Sequence, residues 1–92
     1  MRLDKYLKVS RIIKRRTLSK EITEANRVKV NGLIAKPAHQ LKVGDDIEIN
    51  FGRKKLTIRV LILKEHVLKD QSQMLYEIIK EEKIEEENEN RL

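Results

Sequence analysis

Hydrophobic residues recur with helical spacing at the start of the chain. Leu3, Tyr6 and Leu7 stand at i, i+3 and i+4, which places all three on one face of a helix. The next helix is predicted over residues 17–26, with Thr17 as its N-cap because a threonine hydroxyl can accept from an unpaired amide. Its apolar side is formed by Leu18, Ile22 and Ala25. The two helices are expected to pack through these apolar sides.

After the second helix, the apolar positions begin to alternate, which is typical of strands. The pair Asn31-Gly32 tolerates positive φ at both central positions of a tight turn, so it predicts a hairpin in which Val30 pairs with Leu33. The same alternation predicts two further strands, at residues 47–51 and 56–62. The sequence therefore predicts an α+β fold in which two N-terminal helices pack on a small antiparallel sheet.

The chain divides into three parts by composition. Residues 1–64 carry the helices and strands of the predicted domain, and residues 65–80 are expected to form a short extension packed on it. Within the extension, Ser72 as a cap and the apolar spacing favour a helix over a strand at residues 74–79. Residues 81–92 read EEKIEEENENRL, an acidic composition typical of a frayed or disordered tail.

Charge is distributed as unevenly as hydropathy. The net charge is +6, but residues 1–64 hold 17 Lys and Arg against 6 Asp and Glu, whereas residues 65–92 hold 4 against 9. Eight of the cations fall within the first twenty residues, beside a single acid, Asp4. They are Arg2, Lys5, Lys8, Arg11, Lys14, Arg15, Arg16 and Lys20. A phosphate backbone is the ligand that this density of cations favours, ahead of a membrane surface.

Three aromatic residues narrow the kind of nucleic acid. Proteins that read unpaired strands stack bases on exposed rings, and this chain offers only Tyr6, Phe51 and Tyr76, the first two at positions that look like core. We therefore expect recognition of a folded or duplex RNA, or of DNA phosphates, through backbone charge and shape.

Catalytic and metal-binding functions find little support in the sequence. The chain has no cysteine, which excludes disulfides and thiolate metal sites and suits a reducing cytoplasm. Its two histidines, His39 and His66, have no metal-ligand spacing, and no glycine-rich phosphate loop or membrane-length apolar run is present. We expect a cytoplasmic RNA-binding protein that is not an enzyme and has no catalytic residues, no metal and no cofactor.

Several motifs coincide with those of a known family. They are RLDK at the start, the basic turn before the second helix, V-x-V-N-G, K-P and V-x-x-G-D, all within residues 1–64. This region resembles the RNA-binding domain named after ribosomal small-subunit protein four, also called the alpha-L motif. The resemblance implies contact with structured RNA through the basic helix face, at the eight cations above and Arg27, with Asp4 orienting Arg2 or Arg16 and with Asn31 and Gly32 in a supporting loop.

Within that superfamily, the chain resembles two groups that consist of this domain alone. One acts at the ribosomal P site in ribosome-associated quality control, and the other comprises heat-shock proteins that bind free large subunits carrying a nascent chain. The heat-shock group typically has tryptophans in its first helix and a long basic tail, whereas this chain has Tyr6 and an acidic tail. The resemblance to the first group implies a monomeric adaptor that binds large-subunit 23S rRNA and P-site tRNA and supports a factor that tails stalled nascent chains.

Other sequence features leave alternatives open. Arg53, Lys54 and Lys55 form a secondary basic patch at a strand turn, although a charged hairpin tip is also ordinary protein surface. The second helix could enter a groove of duplex DNA, but it lacks a typical base-reading Asn or Gln. The acidic tail could instead bind a basic protein partner.

Overall fold

The computed structural model describes residues 1–84 of the chain. Two helices are followed by five strands, with a 3₁₀ helix before the last strand. They are α1 (Leu3–Val9), α2 (Arg16–Glu24), β1 (Val28–Val30), β2 (Leu33–Ile34), β3 (Asp46–Asn50), β4 (Lys54–Val60), the 3₁₀ helix (Lys69–Leu75) and β5 (Tyr76–Lys83). The strands form one antiparallel sheet in the order β2-β1-β3-β4-β5. The predicted α+β class is confirmed.

The hairpin between β1 and β2 has the predicted register, with Val30 opposite Leu33. Asn31 and Gly32 occupy the turn with φ of 51° and 86°, the left-handed values that a two-residue turn of this twist requires. β4 ends at Val60, two residues before the end of the predicted strand 56–62, because its pairing with β5 stops at Val60 opposite Tyr76.

The hydrophobic core lies between α1 and the inner face of the sheet. Leu3, Tyr6 and Leu7 are fully buried there, as their helical spacing predicted. They meet the inward-facing residues of alternating strands, of which the fully buried ones are Val28, Ile47, Ile49, Ile58 and Val60. Burying each large aliphatic side chain contributes about 1.5–3 kcal/mol, so this contact is what fixes α1 on the sheet.

The buried face of α2 differs from the prediction. Ser19 and Thr23 are the buried residues, Ile22 is half-buried, and Leu18 and Ala25 are exposed. The hydroxyls can be buried because each donates to a backbone carbonyl: Ser19 Oγ lies 2.8 Å from the Asp4 oxygen and Thr23 Oγ1 2.9 Å from the Lys20 oxygen. Small satisfied side chains let α2 approach α1 closely.

The start of α2 also differs from the prediction. Thr17 is not the N-cap, since the helix begins at Arg16 and Arg15 occupies the cap position with extended backbone. No side chain caps the first amides of α2. Thr17 lies instead on the exposed surface of the first turn.

The extension after β4 continues the sheet. Residues 76–79 are strand rather than the favoured helix, since β5 pairs with β4 from Tyr76 onward; its consecutive isoleucines suit a strand better than their helical spacing suggested. β5 reaches Lys83, so residues 81–83 of the predicted tail are paired strand, and the Ile84 amide donates to the Arg53 carbonyl at 2.8 Å. Residues 85–92 of that tail lie outside the described residues.

One backbone carbonyl holds this extension to α1. The oxygen of Leu75 accepts hydrogen bonds from the Tyr6 hydroxyl at 2.6 Å and from the amides of Leu61 and Ile62 at 2.9 and 3.1 Å. Burial raises the pKa of the Tyr6 hydroxyl far above its ordinary value, with the nearby Tyr76 adding to the rise, so this group remains a donor.

Candidate RNA-binding surface

The N-terminal ends of α1 and α2 lie side by side and enclose an open concavity of about 430 Å³. It is lined by Arg2, Asp4, Arg16, Thr17 and Lys20, and we call it the helix-end concavity. The hydrogen bond from Ser19 Oγ to the Asp4 carbonyl is what brings the two helix ends together. The sequence-predicted cations Arg2, Arg16 and Lys20 thus converge on one site.

A loop from the sheet fixes the first turn of α1. The amides of Leu3 and Asp4 donate to the carbonyls of His39 and Pro37, at 2.8 and 3.2 Å, which satisfies two donors that a helix start leaves free. Arg2 forms an isolated antiparallel bridge with Gln40. The K-P motif therefore serves the site indirectly, by anchoring the backbone from which Arg2 projects.

Asp4 is the acid at the centre of the helix-end concavity. Its carboxylate is 2% exposed and accepts from Arg2 Nε at 3.1 Å and Nη2 at 3.3 Å, and from the Lys5 amide at 2.8 Å. The Nε of Arg16 lies 3.7 Å from Asp4 Oδ2, the same oxygen that accepts from Arg2 Nη2, and this charge contact is longer than a hydrogen bond. One carboxylate therefore contacts both guanidinium groups, the geometry that an orienting role requires.

The charge of the concavity remains positive after this pairing. Asp4 offsets one of the charges of Arg2 and Arg16, and Lys20 has no ion pair among residues 1–84. The side chains of Arg2 and Arg16 stay 44% and 49% exposed, so part of each guanidinium still faces solvent. A planar, always-charged guanidinium held by a buried acid is well arranged to donate to a phosphate oxygen.

The remaining cations of α1 face a different side. Lys5 Nζ lies 2.7 Å from Glu65 Oε1 in the connection between β4 and β5. This hydrogen bond and the Lys5 charge lower the pKa of Glu65 from its ordinary value. Lys8 and Arg11 are exposed and line a smaller depression beside the same connection. Lys5 is thus the one predicted contact residue of α1 that is tied to an acid outside the helix pair.

The connector between the helices presents two further predicted cations. Lys14 and Arg15 are exposed and form no ion pair within the described part of the chain. Arg15 directly precedes α2, next to Arg16 of the concavity. These two side chains extend the basic surface along the start of α2.

Arg27 lies apart from the helix-end concavity. Its Nη1 is 3.7 Å from the point that a β-carbon on Gly52 would occupy, so the guanidinium packs at the turn between β3 and β4. The backbone of Arg27 also accepts from the Asn50 amide at 2.9 Å. The structure therefore groups Arg27 with the β3–β4 turn rather than with Arg16 and Lys20.

The secondary basic patch at that turn is largely matched by acids. Lys54 lies 3.1 Å from Glu81 and its Nζ is 5.8 Å from the centre of the Phe51 ring. Lys55 lies 3.8 Å from Glu48 and 3.9 Å from Glu82, while Arg53 has no ion pair among residues 1–84. Because β5 supplies two of these acids, the patch carries far less net charge than its sequence suggests.

Asn31 is occupied within the fold. Its side-chain amide donates to Asp45 Oδ1 at 3.0 Å, and its oxygen accepts from the Asp46 amide at 3.0 Å. These bonds tie the β1–β2 turn to the start of β3. The polar groups of Asn31 thus serve the turn, while Gly32 is exposed with open space around its α-carbon.

Sequence reasoning missed Glu65, His66 and Lys69 as neighbours of α1. They belong to the connection between β4 and β5, roughly sixty residues further along the chain, and lie beside Lys8 and Arg11 only because β5 folds back on β4. No local spacing signals such a contact. Thr17 was assigned a capping role and instead lines the helix-end concavity.

Residues 1–84 contain no grouping of three His, Asp or Glu side chains suited to a metal ion. None of the helices in that range has the length and apolarity needed to cross a bilayer.

Known proteins resemble the chain over nearly its whole length. A family model described as S4 domain matches residues 1–47. The RQC P-site tRNA stabilizing factor of Streptococcus pneumoniae is 55% identical over 86 residues, covering 94% of this chain and 98% of the relative. The protein of the same name from Bacillus subtilis is 48% identical over 84 residues, covering 91% and 98%.

A solved structure shares the fold. Heat Shock Protein 15 of Vibrio cholerae, described as a trimer, superposes with a TM-score of 0.79 at 30% identity, covering 85% of this chain and 80% of that one. The motifs of the N-terminal half and the similarity to these relatives over nearly the full length of the chain point to the same family. The chain therefore belongs to the S4-domain family and, within it, to the proteins named RQC P-site tRNA stabilizing factor.

Proposed function

We propose that the chain is a non-enzymatic RNA-binding adaptor that binds 23S rRNA of the large ribosomal subunit and P-site tRNA during ribosome-associated quality control. The helix-end concavity is the observation that carries the proposal, because two guanidinium groups and Lys20 converge there around a single buried carboxylate. The names of the relatives, which span nearly the whole chain, support the step at the P site.

The concavity suits phosphates of a folded RNA. Arg2 and Arg16 each keep an exposed part of the guanidinium, and the uncapped amides at the start of α2 favour an anion at the same place. Such contacts set position and orientation on a backbone and carry no base sequence. An adaptor that recognises the shape of rRNA and tRNA together requires contacts of this kind.

The aromatic residues favour structured RNA over an unpaired strand. Tyr6 is fully buried, and Phe51 and Tyr76 are half-buried against the core. Among residues 1–84, no phenylalanine or tyrosine ring is fully exposed to stack on a series of splayed bases. Backbone contacts to paired regions are therefore the mode that the surface supports.

The adaptor would act on the cytoplasmic ribosome as a monomer. By stabilising P-site tRNA, it would support a separate factor that adds residues to the C-terminus of a stalled nascent chain. The proposal requires no catalytic group, metal or cofactor in this chain. Its contribution is the free energy of RNA binding alone.

A second candidate function follows from the structural neighbour. The resemblance to the heat-shock group implies binding to free large subunits that carry a nascent chain, and the chain shares the fold of Heat Shock Protein 15. That structure is 30% identical to this chain, against 55% for the streptococcal relative, so we rank it second. A general affinity for structured RNA is the least specific function that the same surface supports.

The test compares Arg16→Gln with Lys29→Gln. Lys29 is an exposed cation on the outward face of β1, and its substitution removes one charge far from the helix ends. If Arg16 is a bidentate phosphate anchor, its loss weakens binding by about 1–3 kcal/mol, which is roughly 5- to 150-fold, while Lys29→Gln remains near wild type.

Binding is measured by co-sedimentation with purified large subunits, with and without P-site tRNA, at fixed moderate salt. Tighter binding to tRNA-bearing subunits than to empty ones supports a contact with P-site tRNA. Arg16→Gln that binds as wild type contradicts the proposal. Equal competition by duplex DNA and by rRNA would argue against a ribosomal target.

A further inference from the structure

A second basic depression lies on the other flank of α1 from the helix-end concavity. It is formed between the end of α1 and the connection from β4 to β5, and its volume is about 130 Å³. We call it the connection cleft. Its lining residues are Lys8, Val9, Arg11, Glu65, His66, Val67 and Lys69.

Cations dominate the polar lining of the connection cleft. Lys8, Arg11 and Lys69 have no ion pair within residues 1–84, and all three are exposed. The one carboxylate of the lining, Glu65, is engaged by Lys5 at 2.7 Å. The negative charge of Glu65 is therefore largely balanced by Lys5. The rest of the polar lining consists of three cations and the His66 ring.

The backbone of Arg11 supports a ligand role for its side chain. Arg11 follows α1 with φ of 62°, a left-handed conformation that glycine adopts without cost and that a branched or long side chain rarely takes. Its amide donates to the Lys8 carbonyl at 3.0 Å and so ends the helix. A strained non-glycine residue at a surface site is an observation that points to function.

We propose that the connection cleft binds a second RNA phosphate group, so that the chain grips RNA on both flanks of α1. This inference rests on the proposed function and adds His66 and Lys69 to the RNA-binding surface. The cleft is a small open depression of about 130 Å³, a size that suits one phosphate group.

RNA is favoured over an acidic peptide because α1 separates two basic sites by a distance that suits a polyanion. Arg2 lines the helix-end concavity and Lys8 the connection cleft, about 9 Å apart along the helix axis. A nucleic-acid backbone carries charges at short, regular intervals and can reach both flanks of α1. The consequence is a footprint wider than α1 and α2 alone provide.

The test is the salt dependence of binding to purified large subunits that carry P-site tRNA. Lys69→Gln removes one cation of the cleft, and Lys64→Gln removes one from the same connection but outside the cleft, where Lys64 borders an apolar depression. Here the slope is that of the logarithm of the association constant against the logarithm of the salt concentration. Its magnitude should decrease by about 0.7–0.9 in Lys69→Gln and stay at the wild-type value in Lys64→Gln. Equal slopes for the two variants would overturn the second site.

The Arg16→Gln variant in the same assay separates this inference from the proposed function. Weaker binding of Arg16→Gln with unchanged Lys69→Gln overturns the connection cleft and leaves the adaptor role standing. Wild-type binding of both variants contradicts both. Thermal unfolding of Lys69→Gln at the wild-type midpoint ensures that a lower affinity reports a lost contact.

Photocrosslinking identifies the occupant. Benzoylphenylalanine in place of Asp70, an exposed neighbour of Lys69, would be irradiated on the same particles. An adduct that ribonuclease removes supports the phosphate site. An adduct that only protease removes assigns the cleft to a protein partner and overturns the proposal.

Discussion

Arg11 is the position where folding and RNA binding make opposite demands. Its φ of 62° is a conformation that costs a residue with a β-carbon about 1–2 kcal/mol and costs glycine nothing comparable. Replacing Arg11 by glycine removes that strain, although it also adds backbone freedom to the unfolded chain. We therefore predict that Arg11→Gly stabilises the fold while it weakens RNA binding.

The size of the stability effect follows from these two contributions. The strain relieved is about 1–2 kcal/mol, and the added entropy of glycine offsets about 0.5–1 kcal/mol of it. With central values of about 1.5 and 0.75 kcal/mol, the net gain of about 0.75 kcal/mol should raise the midpoint of thermal unfolding by roughly 3–6 °C, since 1 kcal/mol corresponds to about 4–8 °C in a domain of this size. No ion pair of Arg11 with residues 1–84 is lost in exchange.

Two matched variants separate strain from charge. Arg11→Ala removes the same cation but keeps a β-carbon in the left-handed conformation. Asn26→Gly leaves every cation in place, but asparagine tolerates its φ of 63° and the substitution removes the oxygen that accepts from Lys36 Nζ at 2.7 Å, so this variant should gain less stability than Arg11→Gly. Both Arg11 variants should lose the same affinity for large subunits, and the glycine variant should unfold at a higher temperature than the alanine variant. A glycine variant that is less stable than the alanine variant would refute the reasoning.

Three further predictions concern the fold around the site. Tyr6→Phe should cost about 0.5–1.5 kcal/mol in chemical unfolding, because the Leu75 carbonyl loses one donor but keeps two; no measurable loss would contradict the hydrogen bond. Because Lys5 lowers the pKa of Glu65, their pairing stabilises the fold at pH values above the ordinary pKa of 4.5, and this stabilisation is lost as pH falls through the lowered pKa. The thermal unfolding midpoints of wild type and Lys5→Gln should therefore converge at acid pH, and a difference between them that stays constant with pH would exclude this pairing. Gly32→Ala should cost about 1 kcal/mol through its φ of 86° alone, since nothing lies within 4 Å of the added carbon, and unchanged denaturant midpoints would disprove it.

Local chemistry was sufficient to predict the first helix and the hairpin. The spacing of Leu3, Tyr6 and Leu7 determines one buried face, and Asn31-Gly32 restricts the turn to a single register. In both cases, the deciding interaction lies within a few residues. This locality is why the N-terminal helix and the turn follow from the sequence alone.

The buried face of α2 could not be read from hydropathy. Ser19 and Thr23 are polar by any scale, yet their hydroxyls donate to carbonyls within the helix pair, which removes the cost of burying them. Leu18 is exposed because the close approach of the helices occurs on the other side. A serine or threonine whose hydroxyl donates to a carbonyl can be buried like a small apolar residue. The identity of that carbonyl depends on the tertiary structure and not on local sequence.

The candidate site was predictable only in part for a similar reason. The cations of the helix ends stand close in sequence, but the contact of both Arg2 and Arg16 with Asp4, which the family resemblance implied, depends on the packing of α2 on α1. The neutralisation of Lys54 and Lys55 by acids of β5 depends on pairing between distant strands. Long-range pairing of this kind leaves no trace in local spacing.

The carbonyl of Leu75, which accepts three hydrogen bonds, makes the position of α1 depend on the segment that leads into β5. Tyr6 and Leu75 are 69 residues apart, so α1 obtains this anchor only after residue 75 has been synthesised. During translation, the helix that carries the first cations of the surface would leave the exit tunnel long before this anchor exists. A chain ending at residue 64 keeps every basic residue of both helices and still lacks the bond that seats Tyr6.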